Sequence, residues 1–247
     1  LMEDGFVPVI PPVLVRGEAM YGTGFFPTDE AQVYRAAGDD LYLAGTSEVP
    51  IASMHARETL PAGELPRRYV GYSTCFRREA GTYGRDTRGI IRVHQFDKAE
   101  MFSFCLPEQS EEEHLRLLAH EEGFFQALEI PYRVLEICAG DLAAPNYRKY
   151  DIEAWLPGSR RWLEVTSCSN DIDYQARRLS IRTRGAGGGA ELVHTLNGTA
   201  VAVGRAIVAL LENHQQADGS VRVPAALQPY MGVERIVRRP PRNGPAV

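Results

Sequence analysis

Ile90-Ile91-Arg92-Val93-His94-Gln95-Phe96-Asp97-Lys98-Ala99-Glu100 combines β-branched and aromatic residues with charges at alternating positions. Read as part of a strand over 89–104, it places Arg92, His94, Phe96, Lys98 and Glu100 on one face, because residues of equal parity share a side. The opposite set, Val93, Gln95, Asp97, Ala99 and Met101, is only half apolar, so neither face is a plain core stripe. One reading is a solvated outer face that happens to carry a phenylalanine. The other is a ligand platform: arginine as a planar cation for phosphate, phenylalanine as a surface for a base, glutamate as a counter-charge for an ammonium group.

Upstream, residues 69–76 have the composition of a second strand, and 77–88 are charged and glycine-containing with no apolar period. The pair therefore reads as a hairpin with a long polar loop, and long loops on rigid strands tend to be functional. Cys75-Phe76-Arg77-Arg78-Glu79-Ala80-Gly81 forms one mouth of it; an extended backbone would aim Arg77 and Glu79 at a common target.

Further out, residues 1–15 read as the end of a helix entering a strand that stops at Pro11-Pro12. A helix is expected over 48–59, capped by Thr46 or Ser47. Ser110 with Glu113 reads as a capping box ahead of a helix over 110–129, with Leu115, Leu118, Phe125 and Leu128 at helical spacing. Strands are expected over 132–139, 150–156 and 162–169, another from 176–184, and a helix over 199–212. Glycine-rich 185–189 lies between strand-like pieces, hence a hairpin tip rather than a phosphate cradle. This order predicts an α+β fold: an antiparallel sheet flanked by helices.

The chain has 247 residues, 44% of them hydrophobic, and a net charge of −5. That charge is unlike a dedicated nucleic-acid binder. No apolar run reaches a membrane span of about 20 residues, so a soluble, cytoplasmic protein with no membrane partner is expected. Cys75, Cys105, Cys138 and Cys168 contain no CxxC pair; buried, reduced thiols are expected, with no disulfide and no structural zinc. Residues 236–247 read as a flexible tail rich in proline and arginine, and 1–235 as one catalytic domain.

Phe76-Arg77-Arg78-Glu79, the loop, and Arg92-Val93-His94-Gln95-Phe96 together resemble motif 2 of the class II aminoacyl-tRNA synthetases. Val203-Gly204-Arg205-Ala206 is similar to motif 3, and Gly5 to Pro12 to the end of motif 1. Within the class, Thr46-Ser47-Glu48, Glu164-Val165-Thr166-Ser167-Cys168-Ser169-Asn170, Gln175-Ala176-Arg177-Arg178 and Thr195-Leu196-Asn197-Gly198-Thr199 look like the seryl branch. The resemblance implies serine activation by ATP and transfer to tRNA(Ser), with tRNA(Sec) as a further acceptor. It implies that Arg77 holds the α-phosphate and the serine carboxylate, Glu79 reads the adenine amino group, and Phe96 and Arg205 stack on the adenine. Arg92 would lie near the phosphates, with Arg78, Val93, Val165 and Thr166 completing the ATP site. Glu164 and Ser167 would bind Mg2+ bridging the phosphates. Thr46, Ser47, Glu48, Glu100, Asn197 and Thr199 would form the serine pocket.

Glu164 and Ser167 differ in parity, so a bulge or strand end is expected between them. The family carries a tRNA-gripping helical arm ahead of this point, and the chain is expected to lack it. Its motif 1 segment implies a homodimer. Other readings of the same resemblance are a stand-alone relative loading a carrier protein, or a non-catalytic paralogue acting as a regulatory subunit.

Overall fold

The computed structural model describes residues 1–81, 89–184 and 188–238. Its main sheet has seven strands: β1 (Phe6–Val9), β2 (Arg67–Phe76), β3 (Gln95–Cys105), β4 (Tyr132–Glu136), β5 (Arg148–Leu156), β6 (Arg161–Asn170) and β7 (His194–Ala202), in spatial order β1-β2-β3-β7-β6-β5-β4. All neighbours are antiparallel except β1, which runs parallel to β2. The expected α+β class holds, with one parallel edge strand added to the antiparallel sheet.

β3 lies near the middle of the sheet and is its most enclosed strand. Met101, Phe102, Phe104 and Cys105 have no exposed surface. Their alternation feeds two cores. On one face, Met101 packs with Leu117 and Phe125 of α3 (Ser110–Ala127), after α1 (Gly17–Thr23) and α2 (Glu48–Ser53) in the chain. On the other, Phe102 and Phe104 pack with Ile51 of α2 and Leu179 of α4 (Tyr174–Leu179). Each such side chain contributes about 1.5–3 kcal/mol by leaving water. A fifth helix, α5 (Val203–His214), packs against β3, β5 and β7.

Several boundaries differ from the sequence reading, each for a tertiary reason. The strand expected from residue 89 begins at Gln95; Ile90 to His94 form turns and bends, although Arg77 N–H still donates to His94 O at 3.0 Å. Arg92 and His94 are therefore not on the strand face with Phe96. The helix expected to residue 59 stops at Ser53, because the chain turns through Arg57, whose N–H donates to Leu179 O, into a short strand that pairs with Arg182–Arg184. Residues 174–179 are helix rather than strand, ended by Ser180 in the left-handed conformation (φ 57°). Thr199 to Ala202 are strand, and α5 starts only at Val203.

The capping box does not form. Ser110 Oγ donates to Asn170 Oδ1, and Glu113 turns to Arg68 on β2. Leu115 is exposed, and the buried stripe of α3 is His114, Leu117, Leu118, Glu121 and Phe125. All four cysteines are free, and Cys138 is exposed rather than buried. The strands Arg182–Arg184 and Ala190–Leu192 pair antiparallel, as a hairpin at the glycine run requires; residues 185–187 of that run, 82–88 of the polar loop and 239–247 of the expected tail lie outside the described residues. Among the described residues no helix is long and apolar enough to cross a membrane.

Candidate active site

A cavity of about 590 Å³ opens on the sheet face that carries the even-numbered residues of β3. Phe96, Lys98 and Glu100 stand on that strand, and neighbouring β7 adds Asn197 and Thr199, Thr199 lying opposite Glu100 in the register. Arg77, Glu79, Arg92 and Val93 come from the hairpin, Thr46 and Glu48 from the start of α2, and Arg205 from the first turn of α5.

β6 supplies Glu164, Val165, Thr166 and Ser167, and here the expected bulge is present. Glu164 pairs with Glu153 and Thr166 with Ile152, leaving Val165 as the extra residue. Shifting the count by one returns Glu164 and Ser167 to a common face, since Ser167 then pairs with Asp151, two residues from Glu153.

Two expected residues are not brought to the cavity. Arg78 is exposed and uses its backbone N–H on Gln32 O at 2.8 Å. Ser47 is buried beneath the loop, with Oγ donating to Gly71 O at 3.3 Å. Gly71 permits that approach: a Cβ there would meet Ser47 Oγ at 2.8 Å and Ile51 Cδ1 at 2.5 Å.

Charge is distributed unevenly along the cavity. Towards the hairpin lie three guanidiniums. Arg77 sits over the Phe96 ring, 5.4 Å from its centroid, with Nε donating to Gly45 O at 3.3 Å. Arg92 pairs with Glu79, which adopts a left-handed backbone conformation (φ 52°). Arg205 donates to Glu164 O at 2.7 Å and lies 3.3 Å from its carboxylate. At the sheet end the carboxylates are buried. Glu100 pairs with Lys98 and accepts from the Thr199 hydroxyl at 3.4 Å. Burial, then the proximity of Asp171 and Glu100, push Glu48 up to about 8. Burial likewise pushes Asp171 up to about 7, against the amides of Asn146 (2.7 Å) and Asn197 (3.2 Å), which favour its charged form. Lys98 offsets Glu100, and an ammonium group brought beside Glu48 and Asp171 would favour their charged forms, so this end can receive a small cation by releasing protons.

The sequence reading missed Asp171, Asn146 and Gln32. Asp171 directly follows β6, where no pattern marked it. Gln32 holds the base of the polar loop, donating to Ala80 O at 2.9 Å and accepting from Ala80 N–H at 3.0 Å. Neither contact has a local signature, because both partners lie far away in the chain.

An arginine-lined end and a carboxylate-lined end in one pocket suit a ligand that is anionic at one side and carries an ammonium at the other. Residues 31–214 match the model of the tRNA synthetase class II core domain (G, H, P, S and T). The chain belongs to this family. It is 59% identical over 231 residues to serine–tRNA ligase of Thermobifida fusca, covering 94% of this chain and 54% of the relative. With serine–tRNA ligase of Acidothermus cellulolyticus the identity is 60% over 238 residues, covering 96% and 56%. Among solved structures, seryl-tRNA synthetase from Pyrococcus horikoshii complexed with ATP superposes with a TM-score of 0.93 at 52% identity, covering 97% of this chain and 54% of that one. A prolyl-tRNA synthetase from Giardia lamblia, at 16% identity and TM-score 0.79, shares the synthetase fold. The chain spans about half the length of the curated relatives it matches.

Proposed function

We propose that this chain activates serine with ATP, forming seryl-adenylate, and passes the seryl group to tRNA(Ser). The observation that carries the reading is the joining of Arg77, Phe96, Glu100, Glu164 and Thr199 around one cavity. The names and high identity of the serine–tRNA ligase relatives support the choice of amino acid.

In this reading the serine carboxylate attacks the α-phosphorus of ATP, the bond from that phosphorus to the α,β-bridging oxygen breaks, and pyrophosphate leaves with that oxygen. No protein nucleophile is needed; alignment and charge neutralisation are. Arg77 would hold the α-phosphate and the serine carboxylate together, its guanidinium moving off the Phe96 ring as the base enters. Adenine would stack on Phe96 with Arg205 on its other side, and Glu79 would accept from its amino group. Glu100 would receive the serine ammonium. Thr199 and Asn197 would hydrogen-bond the serine hydroxyl, and such a pocket disfavours alanine because its own polar groups would be left unpaired.

Glu164 and Ser167, both oxygen donors on one face through the Val165 bulge, fit a hard divalent cation. Among the described residues no three His, Cys, Asp or Glu side chains gather around a metal position, so Mg2+ would be held by Glu164, Ser167 and the phosphates themselves. Its chemistry there is to neutralise phosphate charge. A homodimer through the segment around β1, where Val7 and Ile10 are exposed, completes the proposal.

The test is serine-dependent exchange of labelled pyrophosphate into ATP. Exchange with serine and not with alanine or glycine is the expected result; no exchange with any amino acid would refute the reading.

A further inference from the structure

Glu121, in the middle of α3, has no exposed surface and takes no part in the chemistry above. α3 crosses β7 and β6 on the face opposite the cavity. The Glu121 carboxyl presses against β7 so closely that a Cβ on Gly198 would meet Oε1 at 2.9 Å. Its neighbours for hydrogen bonding are the Thr166 hydroxyl on β6 and the Thr199 backbone on β7. Both Glu121 oxygens and Thr166 Oγ1 are sealed from solvent without a fully formed hydrogen bond.

Both contacts fall at interruptions of the ladder. On β6 the register slips at Val165, directly before Thr166. On β7 it slips at Ala200, directly after Thr199, where Thr199 pairs with Glu100 but Val201 pairs with Ala99. A bulge removes a backbone group from the ladder, and a buried N–H or hydroxyl then needs another partner. α3 places the Glu121 carboxyl under the two bulges.

We propose that Glu121, set against Thr166 of β6, is a positioning residue that holds the β7 bulge from behind the sheet, and so aims Thr199 and Asn197 at the bound amino acid. The inference rests on the serine-activating reading above. Burial, with Glu100 and Asp151 adding to it, holds the Glu121 carboxyl well above the usual range. A neutral carboxyl offers one acceptor and one donor, the same pair as a glutamine amide. An apolar side chain of similar size offers neither.

The experiment measures pyrophosphate exchange and thermal unfolding for wild type, Glu121→Gln, Glu121→Leu and Glu121→Asp. Glu121→Gln should keep the serine KM within about threefold of wild type, whereas Glu121→Leu should raise it about tenfold or more with a much smaller change in ATP KM. Glu121→Asp, whose carboxyl is drawn back by one methylene, should fall between them. A wild-type serine KM in Glu121→Leu overturns the proposal, as does an equal rise in both KM values. If Glu121→Leu fails to fold, Glu121→Asp decides, and a serine KM no higher than wild type there is equally fatal. Wild type without serine-dependent exchange would sink the functional reading itself; wild-type exchange with unresponsive variants would sink only the role of Glu121.

Discussion

The side-chain amide of Gln175 donates to Glu48 Oε1 at 2.8 Å, joining residues 127 positions apart. The same nitrogen lies 3.4 Å from Thr23 O, so α4 ties the first turn of α2 to the end of α1 at the cavity wall. Gln175 is fully buried and is the hydrogen-bond donor that stabilises Glu48 in its charged form.

That donor is outweighed, and the consequence is a pH dependence of stability. Glu48 lies at about 8 in the folded chain against an ordinary value of 4.5, and Asp171 at about 7 against 3.8. Both are raised, so the folded state holds protons that the unfolded chain has released. Their favourable contribution is complete below pH about 4 and is lost as pH rises to about 8. Glu48→Gln keeps a hydrogen-bonding partner for Gln175 and removes the titration. It should raise the melting temperature at pH 8.5 by more than at pH 5. Equal shifts at the two pH values, read by calorimetry, would show that Glu48 is ionised throughout.

Arg77→Ala should remove exchange activity while leaving the fold intact. The side chain is half-buried, and its contacts are the Phe96 ring and Gly45 O. The loss expected is at least about a hundredfold in kcat/KM, in the range of other groups that stabilise developing charge. Circular dichroism and urea midpoints should stay near wild type. Near-normal exchange would remove Arg77 from the reaction.

Much of this site is legible in the sequence, because its residues are chemically conspicuous and cluster in short runs. The hairpin, the α+β order and the cavity-lining members of Thr46 to Glu48, Glu164 to Ser167 and Asn197 to Thr199 all follow from such runs. What could not be read locally was decided by distant partners. Ser110 and Glu113 have capping-box spacing, yet Asn170 and Arg68 offer them buried partners, and those interactions win. Parity placed Arg92 beside Phe96, but the backbone turns before Gln95, and Arg92 reaches the cavity from a loop held by Glu79. Asp171 and Glu121 carry no pattern; only the packing of α3 and the end of β6 gives them meaning.

Thr199→Ala tests the serine pocket without disturbing the nucleotide end. Thr199 is buried, and its hydroxyl donates to Glu100 at 3.4 Å. Losing it should lower kcat/KM for serine by about ten- to a hundredfold, corresponding to one hydrogen bond to a charged or polar partner. Activity with alanine should change little, so the ratio between the two amino acids shrinks. ATP KM should stay near wild type. A competition assay that finds the ratio unchanged would place the hydroxyl-reading group elsewhere.

The ion pair of Arg68 and Glu113 predicts a stability effect separate from activity. Arg68 Nε donates to Glu113 Oε2 at 2.7 Å and Nη2 to Oε1 at 2.5 Å, with the Ser103 hydroxyl adding a third bond at 3.0 Å. Glu113 is 2% exposed, so little solvent screens the pair. Removing Glu113 strands its partners: Glu113→Ala should cost about 2–3 kcal/mol, below the loss for a fully buried pair, because the half-buried Arg68 guanidinium loses its bidentate acceptor but can still reach water. Replacing both, as Arg68→Leu with Glu113→Leu, should cost less than Glu113→Ala alone, since no unpaired charge remains. Urea denaturation of the two variants checks the order. If the double replacement is the more damaging, the pair contributes net attraction beyond its desolvation cost, and charge is what holds α3 to β2.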